Sequence, residues 1–187
     1  MQDGERFELV LEGATTGAEW AIVVLYREFH PEILRYLRAQ EPAEGEDLAT
    51  EAWLDAAGSL RRFNGDERAF RRWIFTIARR RLIDFRRRRS RSFRALGVWL
   101  ERGVPPDHDG AAARVLAMSE TEAALARIAS LPADQADVLL LRVLADLDVE
   151  DVAKVLRKRP GTVRVLQHRA LRRLGEQLAR EGSPVTG

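Results

Sequence analysis

Apolar side chains recur at spacings of three and four over most of this 187-residue chain, a period that helices satisfy and strands do not. From Ala18 to Arg38 the positions Ile22, Leu25, Phe29, Ile33, Leu34 and Leu37 follow it, and Pro31 should kink or divide that stretch. Glu46 to Leu60 repeats the pattern with Leu48, Ala52, Trp53 and Ala56. Asn64-Gly65-Asp66 is a turn signal, and a long helix from about Glu67 to Arg89 should bury Phe70, Ile74, Ile77 and Ala78. Further on, Thr121 to Ala129 is a helix with Leu125 and Ile128 inward. Pro132 suits the first turn of the next, which runs to about Leu144. The chain therefore reads as all-α.

Its glycines and prolines cluster in one place. Gly97, Gly103, Pro105, Pro106 and Gly110, with Asp107, His108 and Asp109, mark a linker expected to be flexible. Two small helical modules result: residues 18–91 and 119–178, joined by the linker 92–118, with an extension at 1–17 and a tail at 179–187. The sequence assigns no role to the extension. An apolar content of 45% and a charged content of 32% suit globular modules rather than a disordered chain. Cysteine is absent, which excludes disulfides, thiolate zinc sites and cysteine nucleophiles. The longest apolar run, Trp20 to Tyr26, is far short of the roughly 20 residues that span a membrane, so no membrane insertion is expected. The start, Met1-Gln2-Asp3-Gly4-Glu5, is acidic where a secretory signal is basic, so a cytoplasmic protein is expected.

The net charge of +2 conceals strong segregation. Residues 1–60 carry 4 basic and 13 acidic side chains, and residues 61–94 carry 14 and 3. Residues 95–150 carry 4 and 10, and residues 151–187 carry 9 and 3. Two basic blocks set between acidic ones suggest a polyanion touched at two places and acidic surfaces kept for another partner.

The second basic block has the pattern of a helix-turn-helix. Asp148 can cap a short helix, Val149 to Leu156, with Val152, Val155 and Leu156 inward. Arg157-Lys158-Arg159 makes the turn, and Pro160 fits the first position of the next helix. There Val163, Leu166, Ala170 and Leu174 share one face, while Arg164, Val165, His168, Arg169 and Arg172 form a stripe on the other. An apolar side fixed to its module and a polar side free to enter a major groove define a recognition helix. Arg164 and Arg169 suit guanine or phosphate; Gln167 and His168 suit base edges. Thr162 and the amides at the helix start suit a backbone phosphate. An ordinary helical hairpin with an exposed basic face is the weaker alternative.

The first basic block mixes arginine with aromatics, from Ala69-Phe70-Arg71-Arg72-Trp73 to Asp84-Phe85-Arg86-Arg87. Arginines hold phosphates, and aromatic faces stack on unpaired bases. Trp73 sits one position from Ile74, at the edge of the core, where plain packing is an equal reading. Beside the polar loop Phe63-Asn64-Gly65-Asp66, such a helix is suited to a base flipped out of a duplex. An enzyme is disfavoured: His30, His108 and His168 are scattered, and neither a Gly-Lys pair nor a dinucleotide-binding glycine spacing occurs. No cofactor is implied.

These residues resemble bacterial RNA polymerase sigma factors of the extracytoplasmic-function (ECF) group of the sigma-70 family. The first module resembles sigma region 2 in Leu25-Tyr26-Arg27-Glu28-Phe29-His30-Pro31, in Glu46-Asp47-Leu48-Ala49-Thr50-Glu51-Ala52-Trp53, and in Trp73-Ile74-Phe75-Thr76-Ile77-Ala78-Arg79 ending Ile83-Asp84. The second resembles sigma region 4 in Leu131-Pro132, Gly161-Thr162-Val163-Arg164 and His168-Arg169-Ala170. The resemblance implies that region 2 binds the clamp helices of the polymerase largest subunit and opens the −10 promoter element. Region 4 reads the duplex −35 element and touches the flap of the second subunit. An anti-sigma factor covering both modules is a further partner so implied. By position, Asp47, Leu48, Glu51 and Trp53 fall in the polymerase-binding helix. Asn64, Trp73, Arg79, Arg80, Asp84, Arg86 and Arg87 fall to the single-stranded −10 element. Arg157, Lys158, Thr162, Arg164, Val165, Gln167, His168 and Arg169 fall to the −35 element. Three departures stand out: Thr50 where the family has glutamine, Arg80 where asparagine is common, and Arg157 in place of a turn glycine. If position 157 needs positive φ, arginine costs about 1 kcal/mol there; otherwise the turn differs and Arg157 adds a phosphate contact. The alternative function is a stand-alone helix-turn-helix activator that binds duplex DNA without polymerase.

Overall fold

The computed structural model describes residues 3–97 and 119–181, and these form eight helices with no strand. The first, α1 (Asp3–Thr16), lies in the segment to which the sequence assigns no role. It buries Phe7, Val10, Leu11 and Ala14, and Phe7 meets Phe29 and Phe70 edge-on at 6.3 and 5.9 Å. Burial of four apolar side chains makes α1 a working part of the first core.

Helix α2 (Glu19–Gln40) buries Ala21, Leu25, Phe29, Ile33, Tyr36 and Leu37. It runs through Pro31 without the expected division. Buried residues on both sides of the proline enter the same core, and that packing holds the two halves in one helix despite the lost N–H donor. Helix α3 (Gly45–Leu60) packs on α2, and α4 (Glu67–Gly97) crosses both. Phe70, Ile74, Phe75, Ala78 and Leu82 are the buried stripe of α4; Ile77 is half-buried at its edge. This helix extends past Arg89 because no glycine or proline interrupts it before Gly97. Arg86 and Arg89 also anchor it to Glu41 at the end of α2, at 2.7 and 2.8 Å. The first part of the expected linker thus continues α4, and the rest of it, 98–118, lies outside the described residues, as do 182–187 of the tail.

The second module opens with α5 (Glu120–Ala129), whose start is a capping box between Ser119 and Glu122. Helix α6 (Ala133–Leu144) follows Pro132. Asp148 caps α7 (Val149–Leu156) by accepting the Asp151 N–H at 2.8 Å. Helix α8 (Pro160–Glu181) rests on α6 and α7 through fully buried Val163 and Ala170. The modules touch: α4 packs on α7, and α2 on α5 and α6. One buried cluster runs through both, taking in Phe29 and Ile74 from the first and Val138, Leu141 and Val152 from the second.

Candidate nucleic-acid interface

The loop before α4 and the first turns of that helix build a groove. Asp66 accepts the Ala69 N–H at 2.7 Å and fixes where α4 begins. The Phe63 ring packs on Phe70 and on Trp73 at 5.4 and 5.0 Å. Trp73 is half-buried beside fully buried Ile74, so its ring is both core edge and groove wall. The groove, about 420 Å³, is lined by Arg62, Phe63, Asn64, Arg72, Trp73 and Thr76. Asn64 is exposed there. These groups have the chemistry to meet an unpaired base: an aromatic wall can stack, an amide can pair with a base edge, and guanidiniums can hold phosphates. Arg62, Arg72 and Thr76 are additions to the residues expected from sequence. The signal for Arg72 was its position next to Trp73.

Further along α4 the arginines divide. Arg80 and Arg87 are exposed, with Arg80 only loosely paired to Asp84 at 3.8 Å. Arg86 is held by Glu41 and by the Gln40 carbonyl at 3.3 Å. Arg79 turns to Asp137 of the second module, Nε to Oδ2 at 2.9 Å. The residues expected at a −10 strand thus share α4 and its leading loop, but Arg79 and Arg86 already hold carboxylates.

On α8 the expected stripe is outward: Thr162, Arg164, Val165, His168 and Arg169 are exposed, and Gln167 is half-buried. Arg164 pairs with Glu150 at 2.8 Å and Lys158 with Asp134 at 2.9 Å. The turn has Arg157 at φ 53°, ψ 43°, in the left-handed region. Its N–H donates to the Lys154 carbonyl at 3.2 Å, and the Lys158 N–H donates to the Ala153 carbonyl at 2.9 Å. That is a Schellman closure, which calls for positive φ and ordinarily uses glycine. Arginine therefore stands where its Cβ is strained, the first of the two alternatives posed above.

On α3 Asp47 and Thr50 are exposed. Leu48 is a core residue with 2% exposure and offers no surface. Glu51 bridges to Arg81 and Arg88 of α4 at 3.3 and 3.8 Å. Trp53 lies tilted against Tyr26 at 5.2 Å, and its buried Nε1 has no partner. With Tyr26, Leu54 and Trp73 it lines an apolar groove of about 290 Å³. Leu54, 68% exposed, was missed from the sequence; its signal was an apolar residue off the buried stripe of α3.

Two buried carboxylates pair with arginines where the modules meet. Asp151 is buried and receives Arg68 Nε at 2.5 Å, Arg72 Nη1 at 2.8 Å and Lys154 Nζ at 3.1 Å. Burial pushes its carboxyl up, but the hydrogen bonds from Arg68, Arg72 and Lys154 outweigh that and bring it down to about 2. Asp137, also buried, accepts from Arg79 and from the Tyr36 hydroxyl at 3.2 Å. Burial foremost, then the Asp137 charge, drives the Tyr36 hydroxyl well above its ordinary range. Among the described residues no group of His, Asp and Glu is placed to hold a metal ion, and no helix is long and apolar enough to cross a membrane.

Comparison with known proteins identifies both modules. Residues 25–92 match the family Sigma-70 region 2, and residues 121–174 match Sigma-70, region 4. The ECF RNA polymerase sigma factor ShbA of Streptomyces griseus is 34% identical, over 86% of this chain and 89% of its own. The ECF RNA polymerase sigma factor SigD of Mycobacterium tuberculosis is 30% identical, over 96% and 87%. Among solved structures, CnrH in complex with the cytosolic domain of CnrY has the same fold, with a TM-score of 0.67 at 18% identity, covering 93% of this chain and 97% of that one. So does the sigma factor RpoE in complex with the anti-sigma factor NepR from Bartonella quintana, with a TM-score of 0.65 at 23% identity, covering 82% and 94%.

Proposed function

The chain belongs to the extracytoplasmic-function group of sigma-70 family RNA polymerase sigma factors and directs polymerase to promoters, and we propose that its surfaces divide that work as follows. Asn64, Phe63 and Trp73 take an unpaired base of the −10 element, and Arg62 and Arg72 hold the phosphates beside it. Arg80, Arg86 and Arg87 track the same strand along α4. Stacking worth about 1–3 kcal/mol per base offsets an unstacking cost of a few kcal/mol. The observation that carries this reading is the groove that joins the Asn64 loop to Trp73 on the arginine helix.

Arg164, Val165, His168 and Arg169 enter the major groove of the −35 element, with Gln167 at its edge. Thr162, Arg157 and Lys158 face its backbone. Asp47, Glu51, Trp53 and Leu54 meet the clamp helices of the polymerase largest subunit, and the second module meets the flap. The apolar groove under Trp53 supports that assignment, since aromatic and leucine anchors concentrate binding energy. An anti-sigma factor is a further partner, by analogy with the CnrY and NepR complexes. A stand-alone activator is not favoured, because the chain spans most of the length of relatives that are sigma factors. The test is run-off transcription with bacterial core polymerase on a pool of upstream regions. Specific transcripts that need the protein support the reading. A protein that shifts duplex DNA alone but starts no transcript from any upstream region in the pool overturns it.

A further inference from the structure

Two constraints fix Arg164 on the outward stripe of α8. Its neighbour in the chain, Val163, is fully buried and ties the first turn of the helix to its module. Its own guanidinium donates from Nη2 to Oε1 of Glu150 on α7, at 2.8 Å. That pair crosses from one helix to the other, whereas Arg172 finds Glu176 one turn along α8 itself, at 3.5 Å. The first turn of α7 divides its acids accordingly: Asp148 and Asp151 turn to Arg68 on α4, and Glu150 turns to the recognition helix.

Stability does not account for the pair. Arg164 is 61% exposed and Glu150 51%, and an ion pair so open to water adds little. Its consequence is for recognition. A free arginine takes phosphate as readily as guanine, and phosphates lie along every duplex whatever its sequence. A carboxylate on one amino group cancels much of the charge that attracts phosphate and orders a long side chain before DNA arrives. Arginine has N–H donors to spare, so a two-pronged contact with guanine O6 and N7 remains open.

We infer that Glu150 is a specificity-determining residue of the −35 surface, a positioning residue that holds Arg164 for a base edge and away from the phosphates. The inference rests on the assignment of α8 to the −35 element and adds to it a residue from the other helix of the pair.

The test uses the full chain assembled with bacterial core polymerase. Its probe is a duplex library built on a promoter recovered by run-off transcription, with each base pair of the −35 element randomised in turn, and the bound fraction is sequenced. Parent, Glu150→Ala, Arg164→Ala and the double variant are compared. Glu150→Ala leaves the Asp148 cap in place and improves helix propensity, so α7 is retained. It is expected to lower discrimination at one base pair by about three- to tenfold. It should also steepen the salt dependence of binding by about 1, as Arg164 gains a phosphate. In the Arg164→Ala background the same change should alter discrimination at no base pair, since the group it positions is gone. Equal loss of discrimination in both backgrounds would overturn the positioning role, because Glu150 would then be reading a base itself, as a carboxylate does when it accepts from the cytosine amino group. Tighter binding to every duplex with preferences unchanged would overturn it too, leaving Glu150 an acid that merely repels phosphate. A parent holoenzyme that prefers no base at any −35 position would remove the assignment of α8 and this role with it; that failure is read in the parent alone, the other two only against the variants.

Discussion

Two glycines of α3 should respond to alanine in opposite directions, and the structure sets both signs. Gly45 opens the helix against α2. A Cβ there would lie 2.6 Å from Arg38 Cγ, 2.8 Å from Arg38 Cα and 2.9 Å from its N. Ordinary contact begins at 3.4 Å, so α2 and α3 must separate by roughly 0.6 Å against backbone, which cannot rotate away. Overpacking of that kind costs about 1–3 kcal/mol. Gly58 lies on the exposed side of the same helix with nothing within 4 Å of its Cβ. Alanine there adds helix propensity and should stabilise by up to about 1 kcal/mol. Urea unfolding followed by far-UV circular dichroism measures both, with each midpoint compared at equal slope. The variants should bracket the parent chain and differ by about 1–4 kcal/mol. Gly45→Ala at or above the parent would refute the argument, because it would mean that α2 and α3 do not approach as described. Gly45→Ala should also weaken core polymerase binding, since the Tyr26, Trp53 and Leu54 groove is built by the same pair of helices.

Arg157→Gly should stabilise the second module by about 0.5–1 kcal/mol, the left-handed penalty less the extra freedom of glycine in the unfolded chain; a loss of stability by the same urea assay would contradict the Schellman closure. Arg169→Ala should weaken binding to a −35 duplex, either relaxing preference at one base or reducing the salt slope by about 1; titration at several salt concentrations separates base reading from phosphate contact. His30 stacks on Tyr26 at 4.4 Å, and its buried Nδ1 has no partner. Burial, with a smaller contribution from Arg38 against that of Glu46, lowers its pKa below 6.5. The unfolded chain therefore takes up the proton first, and stability should fall as pH drops from 7 towards 5. His30→Phe should flatten that part of the stability profile relative to the parent chain.

The helices of both modules were legible from the period of their apolar residues, because each packs one face into a core and so repeats its burial every three or four positions. The turn from Asp148 to Pro160 was legible for a second reason: caps and turns are local, so Asp148, Arg157 and Pro160 announce themselves without distant partners. The division offered at Pro31 does not occur, because a proline is read locally, whereas Leu25, Phe29, Ile33 and Leu37 hold one helix by packing on both sides of it. Leu48 had a motif position but no surface, and Leu54 the reverse; exposure on α3 depends on where α2 and α4 lie across it.

What the sequence determined by itself was the all-α class, the two basic blocks and the outward stripe of the recognition helix, each set by short-range spacing and charge. Only the tertiary structure decided that residues 3–16 complete the first core, that the Asn64 loop and Trp73 wall one groove, and that Asp137 and Asp151 reach across to Arg79 and Arg72. Those partners lie 58 and 79 residues apart in the chain, and no local pattern selects one carboxylate over another at such a distance. The choice falls to burial, which makes an unpaired carboxylate too costly to leave without its arginine.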